Sequence, residues 1–195
     1  MRRVVFISHP NVVISSHVPV PQWPLSDLGR ARMNAALAQP WVAEISAVYS
    51  SAEQKSMDGA EILSRHLSLG FTARHELGEN DRSSTGFLPP DEFEAVADQF
   101  FARPDESVRG WETAWAAQQR IVSAVNSLAK TDNSSGTIAI VSHGAVGTLL
   151  YCNLSGLPIS RQWDQPANGG GNYYAFQLNP IAVFSWWKAI DEIAV

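Results

Sequence analysis

The chain has 195 residues, 45% hydrophobic and 17% charged, which suits one domain with a real core and excludes a disordered segment. The formal net charge of −5, with no basic block, excludes a nucleic-acid footprint but not a small anionic ligand, which answers to local charge. One cysteine, Cys152, excludes an internal disulfide; its apolar surroundings predict a buried thiol.

Val4 to Ser8 is a short apolar run ended by a turn, which predicts a buried, central, parallel strand. Arg2 and Arg3 ahead of it resemble the start of a signal peptide, but the run is too short, and nothing in the chain approaches membrane-spanning length. A cytoplasmic protein with no membrane partner is the simplest expectation. Pro19 to Pro24 is a Pro-rich loop. Ser26 is placed to cap a helix running to about Ala38, with Leu28, Ala31, Ala35 and Leu37 expected on its inner side.

A second strand is expected over Ile45 to Tyr49, a helix over about Glu53 to Leu67, and a third strand over Phe71 to His75 after Gly70. Gly78 to Pro90 is polar and turn-rich, and Asp91 to Phe101 reads as a helix inside an insertion covering roughly residues 78–108. A longer helix is expected within Ser107 to Lys130, with Trp111, Trp115, Ile121, Val125 and Leu128 facing inward. Thr137 to Ser142 is the clearest later strand, followed by His143-Gly144 and a helix from Ala145 to about Leu154. Asn168 to Asn172 is a Gly-rich turn; it lacks the Lys-Ser/Thr of a phosphate loop and opens no helix. Two closing strands, about Tyr173 to Leu178 and Ala182 to Trp187, complete a hairpin.

Alternating strands and helices predict an α/β chain: a three-layer α/β/α sandwich with a mainly parallel central sheet, forming a single domain over residues 1–195. In such sheets ligands bind beyond the carboxyl ends of the strands. His9 follows the first strand and His143 follows the later one, so both imidazoles are expected at one sheet edge. A neutral imidazole can attack phosphorus, and a second can donate to the equatorial oxygens as charge builds. Gly144 would let the backbone approach such an anion, and the helix after it would offer free amides.

Four segments, in order, resemble the histidine phosphatase superfamily in its phosphoglycerate mutase-like branch. They are Ser8-His9-Pro10 after the first strand, Pro24-Leu25-Ser26-Asp27-Leu28-Gly29, Ser50 to Glu61, and Ser142-His143-Gly144 with Gly156-Leu157-Pro158 downstream. The resemblance implies a metal-independent phosphomonoesterase that needs no cofactor and takes a small phosphorylated substrate or phosphate. His9 would be the nucleophile, His143 the second pocket histidine, and Glu79 of Leu77-Gly78-Glu79 the proton donor to the leaving oxygen, with Glu76 as a rival. Serine at position 8 and lysine at position 55 stand where the family has arginines. Ser8, Lys55 and Gly144 would then hold the phosphate in a weakened pocket, with Arg82 as a compensating cation and Arg74 and His17 as further candidates. A binding module with an impaired site and a mutase-type isomerase stay open as alternatives. So does a homodimer paired through the final, tryptophan-bearing strand (Trp186, Trp187), which burial within one domain explains equally well.

Overall fold

The computed structural model describes residues 2–192. Seven strands form one sheet: β1 (Arg2–Ser8), β2 (Ile45–Ser51), β3 (Phe71–Arg74), β4 (Thr137–Ser142), β5 (Asn172–Leu178), β6 (Ala182–Val183) and β7 (Lys188–Ala189). Their order is β3-β2-β4-β1-β5-β6, with β7 also pairing with β5. The four strands from β3 to β1 are parallel, β5 pairs antiparallel with β1, and β6 and β7 pair antiparallel with β5. The expected mixed α/β architecture is thus present.

The strand period of two explains the layers. In β1, Val4 and Phe6 join one core with Ile138, Ile140, Tyr174 and Phe176. Val5 and Ile7 point the other way and join Val48, Ala139, Val141 and Ala175. The first core is closed by α3 (Pro90–Ala102), α4 (Ala114–Thr131) and α5 (Gly144–Leu154), through Phe100, Ile121, Val125 and Leu149. The second is closed by α1 (Asp27–Ala36) and α2 (Gln54–Leu67), through Met33, Ala36, Ala60 and Leu63. A central strand buried on both faces reads as one continuous apolar run, which is how β1 and β4 look in the sequence.

Three expectations need correction. The buried face of α1 is Gly29, Arg32, Met33 and Ala36, whereas Leu28, Ala31 and Ala35 are exposed and Leu37 is only partly covered. The face follows helical spacing, but a hydropathy reading passes over a glycine and an arginine. Gly29 belongs inside because a Cβ there would sit 2.1 Å from the Asn11 carbonyl oxygen. Ser26 does cap this helix, accepting from Gly29 N at 3.1 Å.

The long helix begins at Ala114, capped by Thr113, so Trp111 packs from the preceding turn and Trp115 lies half exposed. The closing hairpin is shorter than expected. Phe184 and Trp186 are exposed, and the chain returns to β5 only at Lys188. Trp187 is buried against Phe6 and Tyr174, which favours burial within the chain for that residue.

Arg32 is the polar centre of the α1 layer. Its guanidinium donates to Asp191 at 2.9 and 3.0 Å, to Asn11 Oδ1 at 3.1 Å, and to the carbonyls of Asn168, Gly170 and Gly171 at 3.0, 2.9 and 3.3 Å. Removing it strands a carboxylate and three carbonyls at a largely covered site. Arg32→Met is expected to lower stability by about 2–3 kcal/mol in urea denaturation. A loss under about 0.5 kcal/mol, the range of an ordinary surface change, would show that water replaces the network.

Candidate active site

Register brings the site together. Ser8 of β1 pairs with Ser142 of β4, and Ser50 of β2 pairs with Val141 of β4. Three parallel strands therefore end level, and the residues just beyond them, His9, His143 and Glu53, leave the same sheet edge. The two imidazole centroids lie 5.1 Å apart in an edge-to-face arrangement.

His9 is held by its backbone and oriented by its ring. Its amide donates to Ser142 O at 2.9 Å, and its carbonyl accepts from Gly171 N at 3.0 Å. The Gly-rich turn is thus a brace for the histidine turn. Gly170 has φ +79°, and a Cβ on it would meet the His9 carbonyl at 2.3 Å, so only glycine fits. The Nδ1 of His9 lies 2.9 Å from the Pro10 carbonyl, an acceptor, so Nδ1 carries the proton and Nε2 keeps its lone pair. Burial, then the Lys55 charge, lowers the His9 pKa to about 4.

His143 is fully buried. Its Nε2 is 2.7 Å from Ser51 Oγ and 3.2 Å from Glu53 Oε1, and its Nδ1 has no partner among the described residues. Burial holds its pKa well below the ordinary value, against the pull of Glu53.

Glu53 escaped the sequence reading, where it passed for a helix start. Its carboxylate accepts from Lys55 Nζ, from Glu79 N at 3.0 Å, and faces His143. Despite burial, the His143 and Lys55 charges and these hydrogen bonds lower its pKa to about 2. A carboxylate two residues from a lysine, just past a central strand end, was the available signal.

Glu79 rides on the loop after β3. Its carboxylate accepts from Ala145 N at 3.2 Å, Val146 N at 3.1 Å and Asn80 N at 3.1 Å. It therefore caps α5, occupying two of the amides that the sequence reading reserved for an anion. Burial, and the nearby Glu53 charge, raise its pKa, while Arg82 and the amide hydrogen bonds oppose this. Arg120 fixes the loop. It donates to Glu112 at 3.0 and 2.8 Å, and to the carbonyls of Glu76, Gly78 and Glu79 at 3.0, 2.9 and 3.1 Å.

A cavity of about 690 Å³ opens beside these groups, lined among others by Val20, Glu53, Glu79, Asn80, Arg82 and Glu112. Glu79 lines it and Glu76 does not; Arg74 and His17 lie exposed elsewhere. Neither imidazole is among the lining residues; His143 adjoins the cavity through Glu53, which lies 3.2 Å from its Nε2. Arg82 stacks on the Phe93 ring, 4.9 Å from its centroid, and its guanidinium has no hydrogen-bond acceptor among the described residues.

The remaining candidates are placed differently from expectation. The Ser8 hydroxyl lies 2.5 Å from Gln165 Oε1 and 3.2 Å from Asn172 O, and it accepts from Asn172 N at 3.0 Å. It ties β1 to β5, so its single proton is already committed. Lys55 is buried and bound to Glu53 and to Val20 O at 2.9 Å. The space beside Gly144 is filled by Gln165, whose Nε2 would lie 2.2 Å from a Cβ there.

Residues 15–178 match the histidine phosphatase superfamily (branch 1). The chain belongs to that superfamily. No curated protein matches its sequence. Among solved structures, this superfamily member is similar to mycobacterial glucosyl-3-phosphoglycerate phosphatase in complex with inorganic phosphate. The identity is 19%, the TM-score 0.78, and the match covers 98% of this chain and 100% of that one. It is also similar to phosphoserine phosphatase in complex with 3-phosphoglyceric acid from Entamoeba histolytica, at 16% identity, TM-score 0.75, and coverage of 97% and 98%. A third likeness is to a putative alpha-ribazole-5'-P phosphatase from Escherichia coli, at 19% identity, TM-score 0.68, and coverage of 100% and 98%. At these identities the likenesses fix the fold of the superfamily member, and its chemistry rests on its own residues.

Proposed function

We propose that the protein is a phosphomonoesterase working through a phosphohistidine on His9. The observation that carries this reading is the fixed tautomer of His9, with Nδ1–H on Pro10 O and the Nε2 lone pair free, beside a second buried imidazole. Nε2 attacks phosphorus as the ester P–O bond breaks. Glu79, whose pKa burial raises, serves as the acid that gives a proton to the leaving alcohol oxygen. The Glu79 carboxylate then takes a proton from water, which attacks phosphorus, and the P–N bond breaks to return neutral His9. His143 Nδ1, the unpartnered atom, faces the phosphoryl group, and Arg82 supplies the unpaired positive charge.

Superfamily membership supports the same class of reaction. The loss of two arginine positions makes the pocket weaker, because Lys55 is already paired with Glu53 and the Ser8 hydroxyl already donates to Gln165 and Asn172. A slow enzyme is the expected outcome, since ~10²–10³ lost per preorganised donor still leaves much of a typical enzymatic acceleration.

The test is hydrolysis of p-nitrophenyl phosphate in chelator, with acid and base quenching of a pulse of labelled substrate. Turnover with label that is stable to base and lost in acid supports the reading. Saturable phosphate binding without turnover on a broad ester panel would instead favour a binding module, and exchange between phosphoglycerates a mutase. Arg82→Gln is expected to lower kcat/KM by about 10²-fold while leaving the thermal midpoint near that of the parent, since its guanidinium holds no acceptor of its own.

A further inference from the structure

The charges around the cavity bear on which phosphate ester fits, a step that rests on the phosphomonoesterase reading. Four carboxylates line the cavity: Glu53, Glu79, Asp81 and Glu112. Two guanidiniums, Arg82 and Arg120, line it too. Arg120 has no donor to spare, because its five N–H groups go to Glu112 and to three loop carbonyls. Lys55 lies behind the wall, paired with Glu53. Arg82 is therefore the one lining cation with free donors among the described residues, and the phosphoryl oxygens claim it.

Beyond the phosphoryl site, with Glu112 paired to Arg120, Glu53 to Lys55 and Glu79 assigned as proton donor, Asp81 is the lining carboxylate left without a cation among the described residues. Asp81 accepts from Ser83 N at 2.9 Å, and this hydrogen bond lowers its pKa, so it stays ionised. Its own amide donates to Glu112 Oε2 at 3.1 Å, which keeps the two carboxylates on one stretch of wall. The buried Nδ2 of Asn80, another lining residue, has no acceptor among the described residues and suits a hydroxyl oxygen. Pro19, Val20 and Pro21 form the apolar side. A volume of about 690 Å³ exceeds what phosphate alone needs.

We infer that the alcohol esterified to phosphate bears no carboxylate, and that an ammonium-bearing alcohol fits the wall formed by Asp81, Glu112 and Asn80 best. Esters of hydroxy acids place a second anion beside the unpaired Asp81, and the nearest cation, Arg120, has its donors taken by Glu112 and the loop carbonyls, so the placement works against binding. The partner enzyme chemistry is then phosphorylation of an amino alcohol or a neutral polyol.

Three esters of similar size test this: O-phosphoethanolamine, glycerol 1-phosphate and 3-phosphoglycerate. The expected order of kcat/KM is that order, with about tenfold or more between the first and the last at low salt. The gap should shrink at high ionic strength, because the wall is open to solvent. Asp81→Lys is expected to reverse the order of the three esters, read as the ratio of their kcat/KM values within the one variant. A parent enzyme that prefers 3-phosphoglycerate, or an order unmoved by Asp81→Lys, overturns the inference and leaves the phosphatase reading standing. Turnover of none of the three esters or of p-nitrophenyl phosphate, with His9 unlabelled, overturns both.

Discussion

His9→Ala is expected to lower turnover of any phosphomonoester by about 10⁴-fold or more and to abolish acid-labile labelling of the protein. The size follows from the role. In the proposed mechanism other residues orient or neutralise, whereas His9 Nε2 forms the covalent bond and has no substitute. The Pro10 carbonyl 2.9 Å from Nδ1 fixes which nitrogen is free. A pKa of about 4 keeps the ring neutral at neutral pH, so no activity is lost to protonation there. The variant should still bind phosphate or vanadate, because Arg82 and His143 remain. Retained turnover in His9→Ala would end the phosphohistidine mechanism, whatever the fold.

The same burial makes a stability prediction with a definite sign. The folded pKa of His9, about 4, lies below its ordinary 6.5, so between those values the unfolded chain binds the extra proton. Stability should fall as pH drops through that window, by up to about 3 kcal/mol. Glu53, lowered from 4.5 to about 2, continues the loss further into acid, since its protonation frees Lys55 and His143. In His9→Ala the first part of this slope, above about pH 4.5, should become shallower in urea denaturation across pH, leaving the part owed to His143, whose pKa burial also lowers.

The legibility of this chain divides along a physical line. Strands buried on both faces announce themselves, and β4 was bounded at Thr137 and Ser142 from its apolar run alone. The two histidines were legible because parallel strands must end at one edge, and the register placed them 5.1 Å apart. Amphipathic helices were read less well. In α1 a buried arginine with every donor satisfied looks, in sequence, like an exposed one, and the inner face was assigned a residue too early. Polar positions failed for the same reason. Whether Ser8 serves a ligand or β5, and whether Glu53 caps a helix or touches a histidine, depends on side chains more than twenty-five residues away. Composition carries no record of such pairings. The resemblance supplied the frame, while Glu53 and Gln165 stand at positions where it predicted nothing.

Glu79→Gln separates the proton donor from its surroundings. Glutamine keeps the oxygen that accepts from Val146 N and Asn80 N, but it cannot release a proton. For an alkyl ester, whose alcohol is a poor leaving group, the variant is expected to lose about 10²–10⁴ in kcat. For p-nitrophenyl phosphate, whose phenolate departs without help, formation of the phosphohistidine should be nearly unaffected. If Glu79 is the donor, the parent has an alkaline limb as Glu79 loses its proton, displaced upward from the usual glutamate value because burial, against Arg82, favours the neutral form. That limb should appear in the parent with the alkyl ester, be absent with the aryl ester and be lost in the variant, while the acid limb near pH 4, assigned to His9, should persist. An equal loss on both esters, with the alkaline limb intact, would assign Glu79 to capping α5 through Ala145 N and Val146 N and send the search for a proton donor to Glu53, the other carboxylate facing the histidines. Glu53 is the weaker candidate on present geometry, because a carboxylate held ionised to about pH 2 by Lys55 and His143 has no proton to give near neutrality.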